Sequence, residues 1–328
     1  MTGGMSGSDR PADGGGALVT GALGFVGLHL ARGLLQEGRR VTGFGLATDA
    51  APPPGAFHYL AGSMTDAGAV REALDLARPG VVYHLAAQSS AAASFGDPAG
   101  TLAANVLGTL NLLEAVRALP AAERPVVVAV GSAEEYGPQP GDAPLDEDAP
   151  LCPVSPYAVS KAAQTLLCRQ YHRAHGVPVV VARPFSHTGP GQSPRFAFPS
   201  FARQVAAAEA GRGPAEILTG DLSPVRDVLH VLDVVRAYRL LAARGTPGEV
   251  YNICSGTALT MAEGLRILVG AATVPVTVRR DPARDRPADT PRLVGNNRKL
   301  REGTGWGPER DAASALLELL AEARKELS

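Results

Sequence analysis

The chain has 328 residues, 45% of them hydrophobic and 19% charged, with a formal net charge of −1. That is enough apolar material for one large domain or two unequal lobes, and the balanced charge excludes an electrostatic footprint for nucleic acid or anionic lipid. The cysteines, Cys152, Cys168 and Cys254, are odd in number and far apart, which argues against a disulfide framework or a zinc site and fits a reducing cytoplasm.

Residues 1–16, MTGGMSGSDRPADGGG, lack the apolar core of a signal peptide and are too rich in Gly, Ser and Asp to pack, so they are expected to form a disordered tail. From residue 17 short apolar runs alternate with helical patterns. The strands are ALVT (17–20), RVTGF (40–44), FHYLA (57–61), VVYHLA (81–86), PVVVAV (125–130) and PVVVAR (178–183); the helices are 25–37, 66–77, 98–118 and 156–175. Runs apolar on both faces belong to a buried parallel sheet, and the helices between them are long enough for right-handed crossovers. The expected fold class is α/β, a doubly wound parallel sheet of the Rossmann type. No run approaches the ~18 apolar residues of a membrane span.

The first strand leads straight into TGALGFVG and a helix, with Gly21, Gly24 and Gly27 spaced three apart. Gly21 permits the tight turn, Gly24 lets backbone amides approach a pyrophosphate, and Gly27 lets helix pack on strand, so a dinucleotide is expected there. At the end of the second strand Gly45 stands where a carboxylate would hold the ribose of NAD(H). That leaves room for a 2′-phosphate, with Arg32, Arg39 and Arg40 as its candidate partners. Asp49 is a late-arriving alternative carboxylate, so the cofactor is NADP(H) or NAD(H), leaning to NADP(H).

Tyr157 and Lys161 lie four apart in SPYAVSK, a spacing that chance makes rare in a chain with seven tyrosines and three lysines. Ser155 caps the helix and Pro156 fits its first position, so the two side chains share a face. An ammonium near a phenol favours phenolate, and the pair reads as a proton donor and its tuner. Ser132 lies just past the end of the fifth strand, where open α/β sheets bind their ligands.

After Pro184 the stretch RPFSHTGPGQSPRFAFPS is crowded with Pro, Gly and Ser, and a smaller C-terminal substrate-binding lobe is expected to begin there. VRDVLHVLDVVRAYRLLAARG reads as a strand and a helix, and GEVYNICSG (248–256) as a strand able to rejoin the main sheet. The expected division is 17–183 plus about 225–256 for the dinucleotide-binding domain and 184–224 plus about 257–328 for the lobe. The lobe should end in an amphipathic helix from Asp311 to about Leu327.

With GALGFVG, HLAAQSS after the fourth strand, GSAEEYG after the fifth and YAVSK on the next long helix, nearly the whole chain resembles an extended short-chain dehydrogenase/reductase. NVLGTLNLLEAVR (105–117), SPYAVSKAAQTLL, RPFSHTGPGQ and GEVYNICSG are similar to its nucleotide-sugar branch, the group of GDP-mannose 4,6-dehydratase and GDP-6-deoxy-4-keto-D-lyxo-hexose reductase. The resemblance implies a nicotinamide cofactor, a GDP-linked nucleotide-sugar substrate and a homodimer formed through the helices at 98–118 and 156–175. It implies cofactor contacts at Gly21, Gly24, Phe25, Val26, Gly27, Ser63, Met64, Leu85, Ala86, Ala87, Tyr157, Lys161 and Pro184. Ser132 would bond the sugar O4 or its oxyanion, Tyr157 would pass the proton, and Lys161 would bind the nicotinamide ribose.

On the substrate side the same resemblance points to Arg226 and Arg286 as phosphate ligands, Asp289 on a ribose hydroxyl, and Gln88, Ser89 and Ser90 near the hexose or cofactor. Ser186, which stands where the family has asparagine before His187, is expected at the substrate as well. In the related dehydratases the residue matching Glu134 abstracts the C5 proton, helped by an acidic or hydroxyl neighbour; that neighbour here is Ala133. The implied activity is therefore reduction of the C4 keto group of a GDP-4-keto-6-deoxyhexose to a GDP-6-deoxyhexose such as GDP-D-rhamnose. The alternatives are GDP-mannose 4,6-dehydratase, a nucleotide-sugar 4-epimerase and, from another class, a dinucleotide sensor without turnover.

Overall fold

The computed structural model describes residues 15–48, 50–285 and 290–328. The first half runs β1 (Ala17–Thr20), α1 (Phe25–Gln36), β2 (Val41–Gly45), β3 (Phe57–Ala61), α2 (Ala67–Ala77), β4 (Val81–His84), α3 (Ala91–Gly96), α4 (Pro98–Leu102), α5 (Gly108–Ala118), β5 (Val126–Val130), α6 (Pro156–His175) and β6 (Val179–Pro184). Next come β7 (Ser186–Thr188), α7 (Ala197–Glu209), β8 (Glu216–Thr219), β9 (Val225–His230), α8 (Val231–Arg244) and β10 (Val250–Ile253). The chain closes with β11 (Ala258–Thr260), α9 (Met261–Gly270), β12 (Thr277–Arg280), β13 (Arg292–Leu293), α10 (Arg298–Thr304) and α11 (Ala312–Leu327).

Among the described residues the main sheet has seven strands in the order β3-β2-β1-β4-β5-β6-β10, each pairing parallel. β1 and β4 are buried along their whole length, which is why ALVT and VVYH carry apolar residues on both faces. One face is covered by α1 and α8, through Leu30, Leu34, Val234 and Tyr238. The other is covered by α2, α5 and α6, through Val70, Leu74, Leu112, Val116 and Cys168. The fold is a doubly wound parallel sheet, as the alternating pattern requires.

Two expectations need correction. The strand at 225–230 does not join the main sheet: β9 pairs with β7, β11 and β13, so the chain returns to the large domain only with α8. Conversely, Leu300 of α10 and Trp306 pack into the core of the main sheet, so the stretch 257–328 is shared between the lobes. Among the described residues Pro98–Ala118, with 21 residues and a mean hydropathy of 1.2, is long and apolar enough by length and composition alone to cross a membrane, although Asn105, Asn111, Glu114 and Arg117 interrupt its apolar residues. The segment is one continuous helix in which a π turn at Ala103–Leu107 joins α4 to α5, and its inner residues lie in the core beside the sheet. The lobe has its own core, where Phe201, Val205, Leu268, Leu316 and Leu320 of α7, α9 and α11 meet Val228 of β9.

Candidate active site

Because the strands are parallel, their carboxyl ends line one edge of the sheet, and the segments leaving β1, β3, β4, β5 and β6 all open there. Gly21 leaves β1 at φ +71, and a Cβ on it would lie 2.9 Å from the backbone nitrogen of Ala86. On Gly27 a Cβ would press on the Ala22 backbone at 2.8 Å, whereas Gly24 meets only the Gly21 carbonyl oxygen, at 3.2 Å. Gly24 caps α1 without a side chain, so the first-turn amides of that helix are left bare. Two tight glycines and one with a single close backbone neighbour form a cradle that fits a pyrophosphate. Phe25 begins α1, and Val26 packs against the main core.

Further along the same edge, Ser63 and Met64 follow β3, Leu85, Ala86 and Ala87 follow β4, and Pro184 ends β6. Ala86 N donates to Thr20 Oγ1 at 3.1 Å, tying the β4 loop to the end of β1. The arginines expected at the 2′-phosphate do not belong here. Arg39 and Arg40 precede β2, with Ala17 N donating to Arg40 O at 2.9 Å, so they sit at the opposite edge, about 15 Å of strand away from Gly45. Arg32 is exposed about 10 Å along α1 from its first residue. A Cβ on Gly45 would lie 3.0 Å from the Tyr59 hydroxyl, which donates to Leu46 O at 2.7 Å. Asp49 lies outside the described residues.

Ser155 accepts from Ala158 N at 3.1 Å and Pro156 opens α6, which puts Tyr157 in the first turn, where its own N–H donates to Ser94 Oγ at 3.1 Å. Tyr157 and Lys161 are both buried. Burial raises the phenol above its usual range, the negative charge of Glu134 adds to that, and a hydrogen bond with Ser132 pulls the other way. Ser132 and Tyr157 therefore meet, with Glu134 nearby.

Direct tuning of the phenol by Lys161 is not what this arrangement delivers. The ammonium donates instead to Val130 O at 2.8 Å and Gln164 Oε1 at 3.0 Å, and burial lowers its own pKa to about 8. In this structure the phenol stays a protonated acid.

Ser132 is fixed from below. Its amide donates to Glu135 Oε1 at 2.9 Å, and its hydroxyl accepts from Glu134 N at 3.2 Å. Ala133 packs with Tyr136, Phe185, Cys254 and Leu293, an apolar cluster with no proton donor at that position.

Asn105, overlooked in the sequence, is buried in the π turn; it accepts from Gln88 N at 2.8 Å and donates to Gln88 O at 3.0 Å and Ser160 Oγ at 2.8 Å. It joins the β4 loop to the helix of Tyr157, and an amide side chain inside an apolar helical run is the sequence signal that marks it. Gln88 spends its own amide within its turn, accepting from Ser90 N at 2.7 Å and donating to Ser90 O at 3.0 Å. Ser89 is exposed, and Ser90 caps α3.

Ser186 is exposed on β7, while His187 bonds through Nδ1 to Phe185 O at 2.9 Å and stacks on Phe25 at 6.1 Å. In the lobe, Arg226 borders a cavity of about 490 Å³ with Arg195, Arg280, Arg284, Phe196 and Asp221. Nothing in the local sequence singles out Arg195, Arg280 and Arg284. Carboxylates hold two of them: Arg280 pairs with Asp285 at 2.8 Å and Arg284 with Asp281 at 3.5 Å. Planar guanidiniums around one cavity suit a polyphosphate. Arg286 and Asp289 lie outside the described residues.

A family model described as GDP-mannose 4,6 dehydratase matches residues 18–318. The chain is 40% identical over 246 residues to a GDP-6-deoxy-D-mannose reductase of Pseudomonas aeruginosa, covering 74% of this chain and 80% of the relative. It is 36% identical over 312 residues to a dTDP-glucose 4,6-dehydratase of Streptomyces antibioticus, covering 91% and 89% respectively. Among solved structures it is similar to RMD from Pseudomonas aeruginosa complexed with NADPH, with a TM-score of 0.81 and 34% identity over 95% of this chain and 99% of that one.

Proposed function

We propose that this chain, which belongs to the GDP-mannose 4,6 dehydratase family, is an NAD(P)H-dependent reductase of a GDP-4-keto-6-deoxyhexose, yielding a GDP-6-deoxyhexose such as GDP-D-rhamnose. The observation that carries the reading is Ala133, packed into an apolar cluster beside an otherwise complete Ser132, Tyr157 and Lys161. Elimination across C5 and C6 needs a proton donor for the departing oxygen, and a methyl group supplies none. Carbonyl reduction asks only for a hydride, a proton and a stabilised oxyanion.

The glycine cradle would hold the pyrophosphate, with Lys161 and the loops after β3 and β4 along the rest of the dinucleotide. When bound, the nicotinamide supplies the hydride. Gly45 in place of a carboxylate, and a relative complexed with NADPH, favour NADP(H). Tyr157 holds the proton destined for O4, which burial keeps on the phenol until an oxyanion develops. Ser132, hydrogen-bonded to the phenol, steadies the same oxygen. Arg226 and its neighbours in the lobe cavity would take the diphosphate.

A homodimer fits the exposed apolar side chains Leu102 and Leu107 on the 98–118 segment and Val159 and Leu166 on α6.

The test is incubation of the purified protein with NADPH and GDP-4-keto-6-deoxymannose. Loss of the reduced cofactor's absorbance with formation of a 6-deoxyhexose supports the reading, and Tyr157→Phe should cut turnover by at least ~10³ while cofactor still binds. Conversion of GDP-mannose to a 4-keto product without net NADPH consumption would establish the dehydratase instead.

A further inference from the structure

Gln164 has no part in the reading above, yet its side chain is 2% exposed one turn beyond Lys161 on α6. Its amide spans two groups. Lys161 Nζ donates to Gln164 Oε1 at 3.0 Å, and Gln164 Nε2 donates to Val130 O at 3.2 Å, the carbonyl that also accepts from Lys161 Nζ at 2.8 Å. An ammonium offers only donors, so the amide oxygen must face it and the orientation of the amide follows from the network. The three groups close a ring at the carboxyl end of β5, two residues before Ser132.

We propose that Gln164 is a positioning residue for Lys161: its carbonyl oxygen holds the ammonium at the end of β5, fixes its direction and keeps it charged where solvent is excluded. Two of the three N–H groups are spent on Val130 and Gln164, which leaves one to reach a ligand hydroxyl. Without Gln164 the cation would keep a single protein acceptor, a costly state for a buried charge.

The groups facing the amine leave room for this role. His84 of β4 is kept neutral by burial, and Cys168 of α6 is a buried thiol. Tyr157 on the same helix is protonated, with Glu134 beside it. Glu135 attracts the amine's proton, but its carboxylate already accepts from Arg183 of β6 and from Thr165 of α6, each at 2.9 Å. A neutral acceptor in direct contact adds to that more distant attraction in favouring the cation.

The inference rests on the reductase reading only in giving Lys161 a cofactor to bind, and its test needs no substrate. The chain has three lysines, so protein labelled at lysine Cε gives three NMR resonances, with that of Lys161 identified by its loss in Lys161→Met. Titration of wild type, Gln164→Leu and Gln164→Glu should move the Lys161 midpoint down by about one pH unit in the first variant and up by about one or more in the second. NADPH affinity at pH 8 should fall roughly tenfold in Gln164→Leu. Unchanged midpoints, or shifts in the same direction in both variants, would overturn the proposal. Should Gln164→Leu fail to fold, Gln164→Glu decides alone: an upward shift supports the role, and no shift or a downward one removes it. A failed reductase assay would count against the substrate reading and leave these titrations standing.

Discussion

Arg183 Nη2 lies 2.9 Å from Glu135 Oε2 with both side chains shut away from solvent, and the other oxygen of that carboxylate receives the amide of Ser132. Arg183 also donates to the Tyr136 hydroxyl at 2.7 Å, which in turn donates to Asn252 Oδ1 at 2.8 Å, so the turn bearing Ser132 is braced against both β6 and β10. Burial pushes the Glu135 carboxyl up, but two guanidinium N–H groups, a hydroxyl and an amide all donate to it, and we take it as the ionised half of the pair at neutral pH.

Breaking that pair from one side strands a charge. Glu135→Gln should cost about 3–5 kcal/mol of unfolding free energy. Urea unfolding at pH 7 measures it, and a loss below about 1 kcal/mol would show that the pair does not brace the turn.

Lys161 carries a stability cost with a defined pH window. Its folded pKa of about 8 lies below the 10.5 of the unfolded chain, so between those values the folded state holds fewer protons and wild-type stability rises with pH. Lys161→Met removes this dependence. Wild type should gain on the variant by about 2 kcal/mol between pH 8 and 10.5, an order-of-magnitude figure. Unfolding curves whose difference stays flat across that window would contradict it.

The two helix-side glycines should respond differently to alanine. Gly27→Ala forces a methyl into the Ala22 backbone, with an expected loss of about 3 kcal/mol or a failure to fold. Gly24→Ala meets little protein, so it should melt within a few degrees of wild type while NADPH affinity drops about tenfold or more. Thermal unfolding and a fluorescence titration with NADPH separate the two.

An acid-sensitive tie sits in the lobe. Glu209 of α7 accepts from Arg324 of α11 through both oxygens at 2.7 Å, which lowers its carboxyl from 4.5 to about 2. The depressed value means that its stabilisation is present above pH 4.5 and is lost as pH falls toward 2. Arg324→Gln should cost about 1 kcal/mol at pH 7 and almost nothing near pH 2. Equal losses at both pH values would assign the effect to packing.

In the lobe cavity, Arg226→Ala and Arg280→Ala should each raise the KM for the nucleotide sugar about tenfold and leave kcat within about twofold, because the charge acts on ground state and transition state alike. A fall in kcat of more than tenfold would move these arginines into the chemistry.

Much of this site can be read from local sequence. The strand runs, the glycine turn and the Ser155-Pro156-Tyr157-Lys161 helix start each follow from a period or cap contained within a few residues. Arg39 and Arg40 have the right charge at the wrong end of β2: in a parallel sheet, residues before a strand lie at the edge opposite the strands' carboxyl ends. Arg195, Arg280 and Arg284 gave no signal among 28 arginines, since what marks them is convergence on one cavity from separate segments.

By itself, then, the order of residues determined the doubly wound sheet, the glycine turn after β1 and the shared face of Tyr157 and Lys161, all set by interactions spanning one or two turns. Only the tertiary structure decided that β9 belongs to the lobe, that Ala133 faces an apolar cluster, and that the lysine turns to Gln164 and Val130 instead of the phenol. Those outcomes depend on partners far apart along the chain, where packing and the need to satisfy buried polar groups choose among arrangements that local pattern leaves equal.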